Sequence, residues 1–144
     1  MEGTSIRIST YSEEVKTRGR DDCVDITDTV QRAVDQAGVR AGLATTFITG
    51  STAGVTTIEY EPGLVRDLKE AVRRLFPEHI PYAHHESAGD DNGFSHLRAS
   101  FIGPSLSVPI ADGKLQLGTW QQIVIVDCDT RPRTRSFLIQ LIGE

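Results

Sequence analysis

Alternating hydrophobic and polar residues open the chain. Over residues 4–10, the apolar Ile6 and Ile8 alternate with polar residues, which is the period-2 pattern of a half-buried strand. A second short strand is predicted at residues 23–25, and turn-forming residues occupy positions 18–21. We therefore expect these two strands to form a hairpin with a longer loop.

Two later segments repeat apolar residues at helical spacing. The first begins at Thr27, a predicted N-cap, and ends at Gly38, a residue type that favours the left-handed conformation after a helix. The second begins at Pro62 and ends before Pro77, with an apolar stripe on one face and charged residues elsewhere. The sequence therefore predicts two amphipathic helices.

The remaining apolar runs are rich in β-branched and aromatic residues, which predicts strands. Residues 123–126 are continuously apolar, which indicates a strand covered on both faces, either between layers or in a subunit interface. Asp112-Gly113 predicts a tight hairpin. These elements predict an α+β fold dominated by an antiparallel sheet, with two helices in one domain over residues 1–144. The predicted strands cover residues 44–48, 55–60, 97–102, 105–110, 114–117, 119–128 and 133–142.

Composition limits the classes of function. The chain has 144 residues, 38% of them hydrophobic and 24% charged, and a net charge of −5, which suits one globular domain and disfavours nonspecific binding to nucleic acid or anionic membranes. No apolar run suits a membrane helix and the start lacks a signal-peptide pattern, so we expect a cytoplasmic protein. Cys23 and Cys128 are interpreted as reduced core thiols, with a disulfide as the alternative in an organism that lives at high temperature.

Residues 78–95 lack apolar periodicity and predict a long irregular segment, which in a compact domain is usually functional. Imidazoles and carboxylates cluster here, and both can bind metals or act as acids and bases. The metalloprotease motif HExxH is absent, and a solvated acidic loop with incidental histidines explains the same residues. The polar residues of this segment and its flank are Tyr82, His84, His85, Glu86, Asp90, Asp91, Asn92 and His96.

Three other groups could bind a ligand. The small-residue loop at 50–54 could surround a phosphate with N–H groups and hydroxyls, or it could be a structural turn. Arg131, Arg133 and Arg135 alternate along a predicted strand and could converge on one anion, or they could discourage aggregation at a sheet edge. Trp120 is more typical of a core or interface anchor than of a platform for a heterocycle.

A series of short motifs runs along nearly the whole chain. It consists of Ser51-Thr52-Ala53-Gly54, Glu59, Tyr82-x-His84, Asp91-Asn92-Gly93-x-x-His96, Gly103-Pro104-Ser105, Gly113-x-Leu115-x-Leu117-Gly118-Thr119-Trp120-Gln121 and Arg133-x-Arg135. In this order the series resembles the YjbQ family, whose members are also called secondary thiamine-phosphate synthases. The resemblance implies a small antiparallel β-sandwich with two helices, assembled as a homotrimer with a polar pocket near the subunit boundaries.

The resemblance also implies a reaction. A pyrimidinylmethyl group would move from its diphosphate to the nitrogen of a thiazole phosphate, with release of pyrophosphate. His84 and His96 would assist the leaving group or bind a divalent metal, Mg or Zn, with Glu59 or Asp91 as the supporting carboxylate. The residues assigned to substrate binding are Ser51, Thr52, Asn92, Trp120, Gln121, Arg133 and Arg135.

Two positions depart from the family pattern. Many members have a histidine where this chain has Gly50 and another where it has Phe94, so the histidine cluster is reduced to His84 and His96. The chain looks closer to an archaeal-type branch. The expected partners are further copies of the chain and a small phosphorylated heterocycle, without nucleic acid or membrane. Two alternatives remain open: a noncatalytic homotrimer that binds a small molecule or metal, and a metal-assisted phosphoester hydrolase.

Overall fold

Two antiparallel sheets and four helices form from residues 3–144, the part of the chain that the computed structural model describes. The elements are β1 (Arg7–Thr17), β2 (Asp22–Asp25), α1 (Thr27–Ala37), β3 (Gly42–Ile48), β4 (Ala53–Ile58), α2 (Pro62–Leu75), α3 (Ala83–Ala88), α4 (Gly93–Ile102), β5 (Ser105–Ala111), β6 (Lys114–Leu115), β7 (Gln122–Asp127) and β8 (Arg133–Gly143). The larger sheet has the strand order β1-β8-β3-β5-β6 and the smaller one β2-β7-β4. The expected α+β class with antiparallel sheets is confirmed.

The main core lies between the two sheets and α1. It includes Phe137, Ile139 and Leu141 of β8, and Ile123 and Ile125 of β7. The alternate residues of β7 point the other way, where α2 and α4 cover them in a second, smaller core. All four residues from Ile123 to Val126 are fully buried, which confirms the strand covered on both faces and assigns it to the interior between layers.

Local signals correctly predict both long helices and one hairpin. Gly38 ends α1 with a φ of 68°, and the Glu61 carboxylate caps α2 by accepting hydrogen bonds from the N–H groups of Gly63 and Leu64 at 2.7 and 2.8 Å. Asp112-Gly113 joins β5 to β6. The predicted N-cap at Thr27 is wrong by one residue, because Ile26 holds that position and the Thr27 hydroxyl instead accepts from the N–H of Ile123 in β7.

The predicted hairpin between the first two strands is wrong. β1 pairs with β8 over its whole length, from Arg7↔Gly143 to Thr17↔Arg133, whereas β2 pairs with β7 in the other sheet. The segment between them, Gly19 to Asp21, has positive φ at all three residues and carries the chain from one sheet to the other. Turn residues at 18–21 therefore mark a crossing between sheets.

The polar segment at 78–95 contains α3 and the start of α4, so the expectation of a wholly irregular segment is wrong. Residues 97–102, expected to form a strand, belong to α4. The helix lacks an amphipathic pattern because two of its sides are covered: Arg98 is buried on one side and Ala99 lies against the sheet on another. The chain therefore contains two shorter helices in addition to the two that the sequence predicts.

Cys23 and Cys128 are buried and free, as expected for reduced core thiols. Burial raises the pKa of Cys23 to about 11 and raises the pKa of Cys128 further. Within residues 3–144, no helix has the length and apolar character needed to cross a membrane.

Candidate functional site

The two short helices bring His84 and His96 together. Their ring centroids lie 4.6 Å apart, with the planes inclined at 61°. The turn between α3 and α4 is fixed by the N–H of Gly93, which donates to Nε2 of His85 at 3.1 Å. Nε2 of His84 is buried and has no hydrogen-bond partner among residues 3–144. The pair of imidazoles that the sequence suggested therefore exists, and His84 retains one unused nitrogen.

A cavity of about 370 Å³ opens beside His96. On one side lies the loop between β3 and β4, with its small residues Gly50 and Ser51, and on the other lies α4. The hydroxyl of Ser100 donates to the backbone oxygen of His96 at 2.8 Å, and the Ser51 side chain is exposed. The cavity is lined by Gly50, Ser51, Ala53, His96, Ala99, Ser100 and Pro104.

Arg135 lies directly behind this cavity and is 5% exposed. Its Nε and Nη2 donate to the two carboxylate oxygens of Asp127, each at 2.8 Å, and Nη2 also donates to the Thr52 hydroxyl at 2.6 Å. Nη1 lies 3.0 Å from the point that a Cβ on Gly50 would occupy, and the hydrogen bonds that Arg135 makes within the described residues use Nε and Nη2. The guanidinium is thus fixed by two nitrogens and leaves the third next to the cavity wall.

Asp127 and Arg135 hold each other in the charged state. Burial acts to raise the pKa of Asp127, but hydrogen bonds from Arg135, from the Thr17 hydroxyl and from the N–H of Asp129 together lower it below its ordinary value. Burial acts in the opposite sense on Arg135, and the carboxylates of Asp127 and Asp129 raise its pKa. The pair stays ionised in the interior because each charge is hydrogen-bonded.

Asp129 accepts hydrogen bonds from two of the predicted site residues. It accepts hydrogen bonds from Arg133 Nη1 at 2.6 Å and from the Thr52 hydroxyl at 3.1 Å. Burial tends to raise the pKa of Asp129, but these bonds, the N–H of Thr130 and the Asn92 amide lower it. Arg133 is therefore neutralised within the chain, and the Thr52 hydroxyl positions Arg135.

One end of the β4–β7 pair thus collects most of the predicted site. Three predicted residues lie at the opposite end. Glu59 is exposed just beyond β4, Trp120 is 70% exposed before β7, and Gln121 lies beside Thr57. Because β4 is six residues long, its two ends lie about 17 Å apart. The residues that the fold brings together are Ser51, Thr52, His84, Asn92, His96, Arg133 and Arg135, with Asp91 exposed at the turn before α4.

Asp127 and Asp129 are the site residues that the sequence interpretation missed. The signal was present, because two acidic residues alternate directly after a buried strand, and Arg133 and Arg135 alternate a few residues later. Alternating side chains share a face, so the two pairs could have been matched. The sequence interpretation instead takes the arginines alone, either as a group that binds an external anion or as charges that discourage aggregation at a sheet edge.

The described residues of one chain do not complete a metal site. No group of three or more histidine, cysteine or acidic side chains within residues 3–144 has an arrangement suited to a metal ion. His84 and His96 supply two imidazoles, whereas zinc sites ordinarily take at least three protein ligands. The predicted Mg or Zn site therefore stays a prediction that needs donors from outside this set.

Comparisons with known proteins find relatives over most of the chain. The family model described as "UPF0047 protein YjbQ-like" matches residues 12–144. A UPF0047 protein of Methanocaldococcus jannaschii is 33% identical over 135 residues, covering 93% of this chain and 94% of the relative. A UPF0047 protein of Archaeoglobus fulgidus is 37% identical and covers 89% of this chain and 97% of its own length.

Solved structures show the same architecture. A YbjQ-like protein of unknown function from Sulfolobus solfataricus superposes with a TM-score of 0.92 at 31% identity, over 97% of this chain and 100% of that one. An uncharacterised conserved protein from Clostridium acetobutylicum gives a TM-score of 0.84 at 36% identity, over 91% and 98%. Sequence and structure lead to one conclusion: this chain belongs to the YjbQ-like UPF0047 family.

Proposed function

We propose that this chain is a transferase of the secondary thiamine-phosphate synthase type and that the cavity beside His96 holds the departing pyrophosphate. The carbon–oxygen bond of the pyrimidinylmethyl diphosphate breaks, and pyrophosphate leaves with the bonding electrons. The thiazole nitrogen supplies the electron pair for the new carbon–nitrogen bond. The observation that carries the proposal is the buried guanidinium of Arg135, held next to the cavity wall with Nη1 unused.

Such chemistry requires fixed hydrogen-bond donors where negative charge develops, because donors that are already oriented need no reorganisation during the reaction. Arg135 meets this condition, since Asp127 and Thr52 hold two of its nitrogens. The Ser51 hydroxyl and the imidazole of His96 line the same cavity and add two more donors. We assign Arg135, Ser51 and His96 to the leaving pyrophosphate.

His84 acts on this site through His96. The two rings are in edge contact, so His84 limits the orientations available to the His96 imidazole. The buried Nε2 of His84 faces no partner within residues 3–144, so it is available to a substrate atom or to a metal ion completed by further ligands. We assign His84 primarily as a positioning residue, and Asp91 as an exposed carboxylate at the turn before α4.

The proposal includes assembly as a homotrimer, with the pocket near a subunit boundary. Glu59, Trp120 and Gln121 lie at the opposite end of β4 and β7 from Arg135, and none of them lines the cavity beside His96. A neighbouring copy could bring its own Trp120 and Gln121 to that cavity. The large exposed fraction of Trp120, 70%, fits a side chain that is covered on assembly.

The outer face of the larger sheet supports self-association. Three rows of paired positions run across β1, β8, β3 and β5 without a single charged side chain. Such a surface loses little electrostatic solvation when a second copy covers it, and its apolar members gain from burial. The rows are Ile8, Ile142, Leu43 and Pro109; Thr10, Gln140, Thr45 and Ser107; and Ser12, Leu138, Phe47 and Ser105. We name these twelve residues the uncharged face.

A cytoplasmic location forms part of the same proposal. Both cysteines are free and buried, which is typical of proteins from reducing compartments.

The test is turnover. Purified protein receives the pyrimidinylmethyl diphosphate and the thiazole phosphate in buffer with Mg²⁺, and thiamine phosphate is quantified by mass spectrometry. We expect formation that falls at least about 100-fold in His96→Ala, in line with the loss of an oriented donor, and that is unchanged in Asp67→Asn, at an exposed position on α2. If the native protein formed no more thiamine phosphate than the double variant His84→Ala/His96→Ala, the proposed transferase activity would be excluded.

Two alternatives give different results in the same samples. A noncatalytic binding protein, favoured by the absence of a carboxylate lining the cavity within residues 3–144, would bind the phosphorylated heterocycle without turnover. A metal-assisted phosphoester hydrolase would act on a phosphoester panel and lose that activity on chelation. The transferase proposal requires product formation, which neither alternative gives.

A further inference from the structure

A second cavity, of about 460 Å³, lies on the other side of α4 from His96. Phe94 and Arg98, four residues apart on α4, line it, whereas His96 and Ser100 line the cavity described above. α4 therefore separates two cavities of a size typical for small-molecule sites. The full lining of the second cavity is Arg20, Asp21, Arg73, Pro77, Glu78, His79, Phe94 and Arg98.

Arginine dominates the second cavity, with three guanidiniums facing two carboxylates. Arg98 is 3% exposed and is fully engaged: Nη1 donates to Asp21 Oδ2 at 2.9 Å, while Nε and Nη2 donate to the backbone oxygen of Phe76. Its guanidinium also lies 4.7 Å from the centroid of the Phe94 ring. Arg98 is thus the fixed floor of the cavity and holds Asp21 in place.

Arg73 and Arg20 keep most of their donors free. Arg73 lines the cavity with its Nε 3.5 Å from Asp21 Oδ2, and its guanidinium makes no hydrogen bond within the described residues. Arg20 makes one long contact, 3.4 Å from Nη1 to Glu78. Arg20 and Arg73 therefore bring several unpaired N–H donors to the cavity, against one unpaired buried acceptor, Asp21 Oδ1, and this excess of donors is the pattern of an oxyanion site.

The backbone holds Arg20 at this place at a conformational cost. Arg20 and Asp21 have φ values of 52° and 66°, in the left-handed region that residues other than glycine seldom adopt. Their N–H groups donate to the backbone oxygens of Asp129 and Asp127 at 2.6 and 2.7 Å. The same segment thus fixes Arg20 at the second cavity and joins it to the strand end that carries the carboxylates of the first site.

We infer that the second cavity is a separate site for a small oxyanion of the phosphate class, bound by Arg20 and Arg73 above the Arg98–Asp21 pair. The inference goes beyond the proposed function, which uses only the cavity beside His96. Arg73 provides a clean test because it is about half exposed and lies on α2, where glutamine suits the helix. Its neighbour Arg74 provides the control, since it pairs with Glu70 outside the cavity.

The experiment is an NMR titration of the full chain with inorganic phosphate. The amides of Glu78 and His79 report on the second cavity, and those of Ser51 and Ser100 report on the first. We expect both pairs to shift in the native protein. The phosphate affinity read from the Glu78 and His79 amides should fall about tenfold in Arg73→Gln, the effect of losing one charge-assisted contact. In Arg74→Gln the same affinity should equal that of the native protein.

The outcomes separate this inference from the proposed function. Unmoved amides at Glu78 and His79, or equal affinities in Arg73→Gln and Arg74→Gln, would overturn the second site. Movement at Glu78 and His79 with none at Ser51 and Ser100 would support the second site and count against the proposed function.

Discussion

A single buried carboxylate determines how Arg135 meets the cavity. Asp127 holds two of the guanidinium nitrogens, and Thr52 restricts the same side of the group, so Nη1 is left beside Gly50. This arrangement depends on ionised groups inside the protein, which are stable only while each has its partner. Stability and ligand binding should therefore both depend on Asp127.

We predict that Asp127→Asn lowers the free energy of unfolding by about 3 kcal/mol at pH 7, the usual cost of breaking a buried ion pair. Both partners are buried, with Asp127 fully so and Arg135 5% exposed. Urea denaturation measures the change. Asp67→Asn, at an exposed position on α2, should stay within about 0.5 kcal/mol of the native value. An equal loss of unfolding free energy in the two variants would show that the Asp127–Arg135 ion pair does not stabilise the fold.

The lowered pKa of Asp127 also predicts how stability depends on pH. Because its pKa in the folded state lies below the ordinary value, the unfolded chain takes up a proton more readily as the pH falls. The stabilisation is complete above about pH 4 to 5 and is lost as the pH falls through the folded-state pKa. The difference in unfolding free energy between the native protein and Asp127→Asn should therefore shrink below pH 4. A difference that stays constant down to pH 2 would show that ionised Asp127 is not the source of the stabilisation.

At the scale of elements, α4 connects the two cavities to the smaller sheet. It packs against β4 at Gly54, where an added Cβ would lie 2.5 Å from Cγ2 of Ile102 and 3.0 Å from the backbone oxygen of Gly103. The close approach needs a glycine in the strand. Because His96 is on the same helix, the distance between α4 and β4 sets the width of the first cavity.

We predict that Gly54→Ala destabilises the chain by about 1–3 kcal/mol through overpacking and weakens ligand binding at His96. Thermal unfolding and calorimetry measure the two effects. Gly3→Ala is the control, because a new Cβ there meets no atom within 4 Å. A native melting temperature for Gly54→Ala would show that α4 has more room than the contacts indicate.

Some of these elements can be predicted from the sequence and others cannot. α1, α2 and the turn at Asp112-Gly113 were predicted because their signals are local: a left-handed glycine, a proline at the first turn and a two-residue hairpin. α4 was not, since a buried arginine among apolar residues on two covered sides gives no helical pattern. The pairing of β1 with β8 joins residues more than a hundred positions apart, and no local pattern specifies it.

The candidate site divides in the same way. The residue types were predictable, because histidines, arginines and small residues stand out in the sequence. Their partners were not: whether Arg133 and Arg135 face a ligand or an internal carboxylate depends on where β8 lies relative to Asp127 and Asp129. The separation of Trp120 from His96 likewise follows from the direction of β7 and has no signature along the chain.

On the scale of the whole molecule, the uncharged face and the exposed Trp120 are the surfaces that assembly would cover. We predict a trimer by native mass spectrometry. Phe47→Glu places a charge in the middle of the uncharged face and should produce monomers, whereas Lys16→Glu, on the same side of the sheet beyond this face, should not. A native trimer that survives Phe47→Glu would show that the chains associate through a different surface.

The most direct measurement of the central claim is calorimetric titration of pyrophosphate, the leaving group that the proposal places beside His96. Every protein in this experiment carries Arg73→Gln, so that the second cavity contributes little to the measured binding. We expect a further His96→Ala substitution to weaken pyrophosphate binding at least about tenfold, as the loss of one donor to a charged group predicts, and a further Asp67→Asn substitution, at an exposed position on α2, to leave it unchanged. Equal affinities in all three proteins would contradict the account, because pyrophosphate would then bind away from His96.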